Sequence, residues 1–241
     1  MGRTFENRKL AMAKRGDRDA KAFTRAGRKI AMAVKAGGPD LDNNPSLRRA
    51  VENARAVNMP KDRILNAIDK AAGAGDTSDY QEILYEGYAA HGIALLIEAA
   101  TDNPTRTVAN VRFAFKKESG NLGATGSVAF MFDQFGAFRI SPEGVDQEEL
   151  ELGLIDHGLD DIVESQSDDG EPLLVLRCAR EDFGNLQAGL EANGIKVASS
   201  GFEWVPKTTT ELDDEQADEV LKLIDRLEQD DDVQAVFHNL E

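Results

Sequence analysis

Cysteine is nearly absent from this 241-residue chain, which carries Cys178 alone. A single thiol excludes an internal disulfide framework and any metal centre built from several cysteines. It stands in the apolar run 173–178, where a free cysteine acts as a small buried hydrophobe rather than a nucleophile. Histidine is scarce too: His91, His157 and His238 lie far apart, in turn or terminal contexts that suit surface or packing roles. No His-Glu-x-x-His, Cys-x-x-Cys, Gly-x-Ser-x-Gly or Gly-x-Gly-x-x-Gly occurs, so the expectation is a protein that is not an enzyme and takes no cofactor and no metal. No apolar run reaches the roughly 18 to 20 residues a bilayer helix needs, and Met1-Gly2-Arg3 opens without an apolar leader, which predicts a cytoplasmic, membrane-free protein.

Base is also in short supply, but not everywhere. Residues 1–72 hold 17 of the 28 Lys and Arg against 8 of the 44 Asp and Glu, leaving 11 bases against 36 acids in the remainder. The whole-chain pI of about 4.6 hides a basic module joined to an acidic body, the asymmetry expected of a chain with one end facing nucleic acid. Arg3, Arg8, Lys9, Lys14, Arg15, Arg18, Lys21, Arg25, Arg28 and Lys29 are the candidate phosphate contacts. Phe5 and Phe23 could stack on bases, although Phe23 fits an apolar stripe better. The acidic excess elsewhere keeps the chain soluble and is repelled by phosphate.

At 41% hydrophobic, the chain is long enough for two or three domains. Residues 1–72 read as helical. Phe23, Ala26, Ile30, Ala33 and Val34 share one stripe, and Gly37-Gly38-Pro39 stop the helix. Asn44-Pro45 caps and opens a second helix with Leu47, Ala50, Val51 and Ala54 inward; Pro60 opens a third with Ile64, Leu65 and Ile68. Residues 73–79 are small and polar and read as a linker.

Beyond the linker the period changes. Strands are expected at 83–85, 93–100 and 128–132, with a turn at 87–92 and, between the last two strands, a helix capped by Asn103-Pro104 whose stripe is Val108, Val111 and Phe115. Residues 137–205 then read as β-α-β-β-α-β, the ferredoxin-like pattern, with Asp168-Asp169-Gly170 as its hairpin turn. A helix at 214–228, with Val220, Leu221, Ile224 and Leu227 inward, and a strand at 233–237 cannot bury their apolar faces alone, so they return to the earlier strands. The fold class is therefore α+β: an N-terminal three-helix domain at 1–72, a discontinuous α/β domain at 80–136 plus 206–241, and the ferredoxin-like unit 137–205 inserted into it.

The glycine cluster from Gly120 to Ser127 lacks the lysine and following helix of a phosphate-binding P-loop and reads as a tight connection. Arg106, near the start of a capped helix, suits an anion or a salt bridge equally. The runs Asp213-Asp214 and Asp230-Asp231-Asp232 suit helix caps and solvated turns better than a cation site.

Four blocks carry a resemblance. Tyr85-Glu86-Gly87-Tyr88, Thr101-Asp102-Asn103 with Arg106-Thr107-Val108-Ala109, Gly120-Asn121-Leu122-Gly123 with Gly126-Ser127-Val128, and Asp231-Asp232-Val233-Gln234 with Val236 and His238-Asn239 together resemble the YebC/PmpR family over essentially the whole chain. The resemblance implies a three-domain, non-enzymatic regulator of gene expression: a DNA-binding transcriptional regulator, or a ribosome-associated factor that eases synthesis of difficult sequences such as proline runs. With the charge split, the expected partners are DNA or ribosomal RNA through the N-terminal domain, with ribosomal proteins as further candidates, and the chain is expected to be a monomer. Many family members begin Gly-His-Ser-Lys-Trp where this chain has Gly2-Arg3-Thr4-Phe5-Glu6, so a role for that His or Trp does not transfer. The rival reading is a ligand-sensing or protein-binding scaffold built on the ferredoxin-like unit. No helix-turn-helix and no coiled-coil seam is legible, which weighs against groove reading by a symmetric dimer.

Overall fold

The computed structural model describes residues 3–73, 79–167 and 170–241, and side chains from residue 19 onward. The chain opens with three helices: α1 (Arg3–Gly37), α2 (Pro45–Ala56) and α3 (Lys61–Ala72). Their apolar stripes meet in one core of Ile30, Val34, Leu47, Val51, Ala54, Ile64 and Ile68, with Phe23 and Ala26 packed at its margin. Asn44 joins two of them. Its Oδ1 accepts from the Leu47 N–H at 3.0 Å to cap α2, while its Nδ2 donates to the Ala33 and Gly38 carbonyls at 2.7 and 2.8 Å, satisfying the end of α1. Gly38 takes a left-handed φ of 84°, which lets the chain leave α1 without a Cβ penalty. Leu65, expected inside, is 46% exposed, because the face of α3 that meets the core is defined by Ile64, Ile68 and Ala71.

A four-stranded sheet follows, ordered β3-β1-β2-β8, with β1 (Gln81–Tyr88), β2 (Ala94–Thr101), β3 (Asn121–Leu122) and β8 (Val233–His238). The strand β1 runs longer than its apolar core suggests and takes in Gly87. There a side chain would meet the Phe115 ring and the Asn121 carbonyl oxygen, both at 2.7 Å, so glycine is what permits β3 to pair alongside. Between β2 and β3 lies α4 (Pro104–Lys117), capped by Asn103, whose Oδ1 accepts from the Arg106 N–H at 3.1 Å. Its buried positions are Thr107, Val111, Ala114 and Phe115. The strand expected at 128–132 is instead a short 3-10 turn, Ala129–Met131, and the next strand begins only at Phe132.

The second sheet is ordered β5-β6-β4-β7, from β4 (Phe132–Ile140), β5 (Leu159–Gln166), β6 (Pro172–Ala179) and β7 (Val197–Pro206). The pairs β4–β6, β4–β7 and β5–β6 are all antiparallel, and Phe132 pairs with Pro206 across the entry and exit of the unit. With α5 (Gln147–Leu154) after β4 and α6 (Phe183–Ala192) after β6, the element order is β-α-β-β-α-β and the sheet order that of a ferredoxin-like unit. Phe138, Leu154, Leu176, Cys178, Phe183, Leu186 and Leu190 fill its core. Asp168 and Asp169 of the expected hairpin turn lie outside the described residues; Gly170 has the positive φ, 81°, of such a turn. The helix α7 (Asp214–Glu228) precedes β8, with Leu223 rather than Leu221 inside. The fold is thus α+β, helices first and two sheets after.

By packing, the chain groups into two compact units: Met1–Ile83 with Glu98–Asn110 and Arg226–Ala235, and Leu84–Ile97 with Val111–Asp225 and Val236–Glu241. Among the described residues no helix is long and apolar enough to cross a membrane.

Candidate nucleic-acid interface and the motif networks

Of the ten candidate phosphate contacts, Arg3, Arg8, Lys9, Lys14, Arg15 and Arg18 have side chains outside the described set. Lys29 is exposed and Lys21 half-buried on α1. Arg25 and Arg28 are turned to other work. Arg25 donates from Nη2 to the Glu228 carbonyl at 2.8 Å, and Arg28 donates to the carbonyls of Ala100 at 3.1 Å and of Asp231. Arg28 also pairs with the Asp232 carboxylate at 2.9 Å and lies over the Tyr80 ring, 5.5 Å from its centroid. Phe23 is packed against the helical core with the Arg63 guanidinium 5.4 Å from its ring centre, so it is a packing residue here. Sequence reasoning stopped at residue 29, yet α2 and α3 add exposed Arg48, Arg55, Lys61, Arg63 and Lys70 to the same module. The signal was available: these cations occupy the positions that the apolar stripes leave vacant.

Asp232 organises the first motif network. Its carboxylate, 2% exposed, accepts from Thr107 Oγ1 at 2.7 Å, from Arg106 Nη2 at 2.8 Å and from Thr101 Oγ1 at 3.2 Å, besides its pair with Arg28. Burial works to raise this carboxyl, but the Thr107 and Arg106 hydrogen bonds and the charges of Arg28 and Arg106 outweigh it and hold it below the ordinary carboxylate range. Arg106 reaches Asp102 as well, at 2.9 Å. The expectation that the aspartate run merely solvates a turn therefore fails at Asp232. An open cleft of about 450 Å³ lies alongside, walled by Asn110, Gln229, Asp230 and Asp231 together with this network. Both of its cations are committed to Asp232, so it offers no unpaired charge to an anion. Among the described residues no group of three or more His, Cys, Asp or Glu could hold a metal ion.

Glu86 organises the second. It is 2% exposed, and its Oε1 accepts from the Gly126 N–H at 2.6 Å while its Oε2 accepts from the N–H groups of Val128 and Ala129, both at 2.7 Å. Burial acts to raise the Glu86 carboxyl, and the three backbone donors overcome it and lower it. Gly126, at a φ of 84°, gives the loop the curvature that points these amides inward. The glycine-rich segment is an anion cradle, but the chain's own carboxylate fills it. Tyr88 closes the same loop through its hydroxyl, which donates to the Ser127 carbonyl at 3.1 Å.

The motif blocks are thus drawn into two buried-carboxylate networks rather than one reactive centre. The comparisons with known proteins say which lineage builds them. Residues 3–74 match the family described as TACO1/YebC protein N-terminal domain, and residues 80–240 match TACO1/YebC second and third domain. The chain belongs to the TACO1/YebC family. A relative from Anaeromyxobacter dehalogenans, named probable transcriptional regulatory protein, is 57% identical over 240 residues, covering 100% of both chains. One of the same name from Flavobacterium johnsoniae is 50% identical, covering 100% of this chain and 99% of its own. The crystal structure of a conserved hypothetical protein from Aquifex aeolicus matches with a TM-score of 0.81 at 36% identity, covering 92% of this chain and 90% of that one. Every motif residue of the TACO1/YebC resemblance that carries charge and is buried, Glu86 and Asp232, is a hub of one of the two networks.

Proposed function

We propose that this TACO1/YebC protein is a cofactor-free regulator of gene expression that binds nucleic acid through its helical N-terminal module, residues 1–72, and that its working partner is structured RNA of the ribosome. The observation that carries this reading is the distribution of charge over a settled core. The three helices turn their apolar residues inward and leave Lys29, Arg48, Arg55, Lys61, Arg63 and Lys70 exposed, in a chain whose remainder has 36 acids to 11 bases. Such a module meets phosphate by neutralising charge, and the acidic remainder is kept from it by repulsion.

RNA is preferred to operator DNA because the sequence carries neither a helix-turn-helix to present a helix to base edges nor a coiled-coil seam to pair two copies over a palindrome. The names of the relatives favour the second reading, a transcriptional regulator on duplex DNA. Cosedimentation with ribosomes at moderate salt, lost when Lys29 and Arg48 are changed to Glu, is the expected result. A promoter fragment bound about a thousandfold tighter than scrambled duplex, without ribosome association, would reverse the choice. Lys29 and Arg48 serve this test better than Arg25 and Arg28, whose replacement would also strip hydrogen bonds from the fold.

A further inference from the structure

A second cationic surface lies on α4, outside the N-terminal helices. Residues 104–117 contain Arg106, Arg112, Lys116 and Lys117 and no Asp or Glu, within a stretch of chain where acids outnumber bases 36 to 11. Arg106 is engaged by Asp232 and Asp102. The other three are exposed, and among the described residues none of them forms an ion pair. At about 100° per residue, Arg112, Phe113, Lys116 and Lys117 fall on the side of α4 opposite Val111, Ala114 and Phe115, which are buried.

Phe113 stands in the middle of this face, 62% exposed. Lysines in the last turn complement the helix dipole, which accounts for Lys116 and Lys117 but not for a phenyl ring held in water between them. A ring flanked by cations is the surface that unpaired nucleic acid requires: the cations follow the phosphates, and the ring stacks on a base. A duplex keeps its base faces inside its own stack and would leave Phe113 without a partner. The surrounding acids disfavour an anionic strand elsewhere on this part of the chain and so restrict it to the strip.

We propose that the outer face of α4, formed by Arg112, Phe113, Lys116 and Lys117, docks an unpaired segment of RNA, with Phe113 stacked on a base and the three cations on the flanking phosphates. This rests on the RNA reading above and adds a contact that the helical module does not supply. The test uses the full chain and a short unstructured RNA carrying 2-aminopurine, with DNA of the same sequence and an RNA duplex as parallel arms. Binding should quench the 2-aminopurine. Phe113→Ala should remove the quenching and weaken affinity about fivefold or more, while Phe113→Tyr retains both and neither change moves the melting temperature. Lys29→Glu with Arg48→Glu separates the two proposals: if that pair leaves affinity intact while Phe113→Ala lowers it, the helical module loses its role and the α4 site stands. If Phe113→Ala alters neither quenching nor affinity, the α4 site is overturned, whatever the helical variants do. Equal, Phe113-dependent quenching by the DNA strand, or binding of the duplex alone, overturns the assignment to unpaired RNA.

Discussion

The guanidinium of Arg28, on the first helix, lies 2.9 Å from the carboxylate of Asp232, beside the last strand. Arg106 holds the same carboxylate from the other motif block, so one buried anion is shared by two cations and two threonine hydroxyls. Asp232→Ala should cost about 2–4 kcal/mol in urea unfolding, since it leaves the part-buried Arg28 without its counter-charge and the buried Thr107 and Thr101 hydroxyls without their acceptor. A loss below about 1 kcal/mol would contradict the network.

The same residue gives a pH signature. Its folded pKa is depressed, so its contribution is complete above the unfolded value of about 4 and is lost as pH falls through the folded value. Stability measured from pH 6 downward should drop more gently below about pH 4 in Asp232→Asn than in the wild type. Parallel curves would show that Asp232 is not the titrating group.

Glu86→Gln tests the filled cradle. An amide presents one acceptor oxygen where the carboxylate has two, so at least one of the Gly126, Val128 and Ala129 N–H groups is left unpaired. The expected loss is about 1–3 kcal/mol, with faster amide exchange confined to that loop. Added phosphate or sulfate should not stabilise the wild type through this segment.

Cys178 is wholly buried, and burial, helped by the charge of Asp182, pushes its thiol up to about 11. A thiol reagent at neutral pH should label the native chain only at the rate of unfolding and label denatured chain at once. Fast native labelling would contradict the packed ferredoxin-like core.

Much of the architecture was legible because helix stripes and caps are local. Asn44-Pro45, Asn103-Pro104 and the Leu47-Ala50-Val51-Ala54 face announce themselves within a few residues, and the β-α-β-β-α-β order follows from alternating periods. What was not legible is non-local. Leu65 and Leu221 are apolar at helical spacing yet face outward, because which edge of a stripe is covered depends on the neighbouring element. The partnership of Arg28 with Asp232 has no sequence signal from either end. Arg28 looked like one more cation in a basic run, and Asp232 like one more acid in a turn. The glycine cluster declared a tight loop but not that Glu86 occupies it.

We propose that the ferredoxin-like unit is an inserted domain, and the pairing of Phe132 with Pro206 moves its boundaries outward from 137–205 to 132–206. A fragment spanning 132–206 should fold with a cooperative urea transition, whereas one cut at 137 and 205 loses the first pairs of β4 with β7 and should be less stable. Failure of both fragments to fold would argue against an autonomous domain.

The salt dependence of RNA binding by the full chain reads out the phosphate contacts of the helical module. If the exposed cations of the helical module neutralise about five phosphates, the slope of log affinity against log salt should be about −3.5 to −4.5 on structured ribosomal RNA, and Lys29→Glu with Arg48→Glu should make it shallower by more than about one unit. An affinity independent of salt, or a slope untouched by those two substitutions, would mean that the helical module does not bind phosphate.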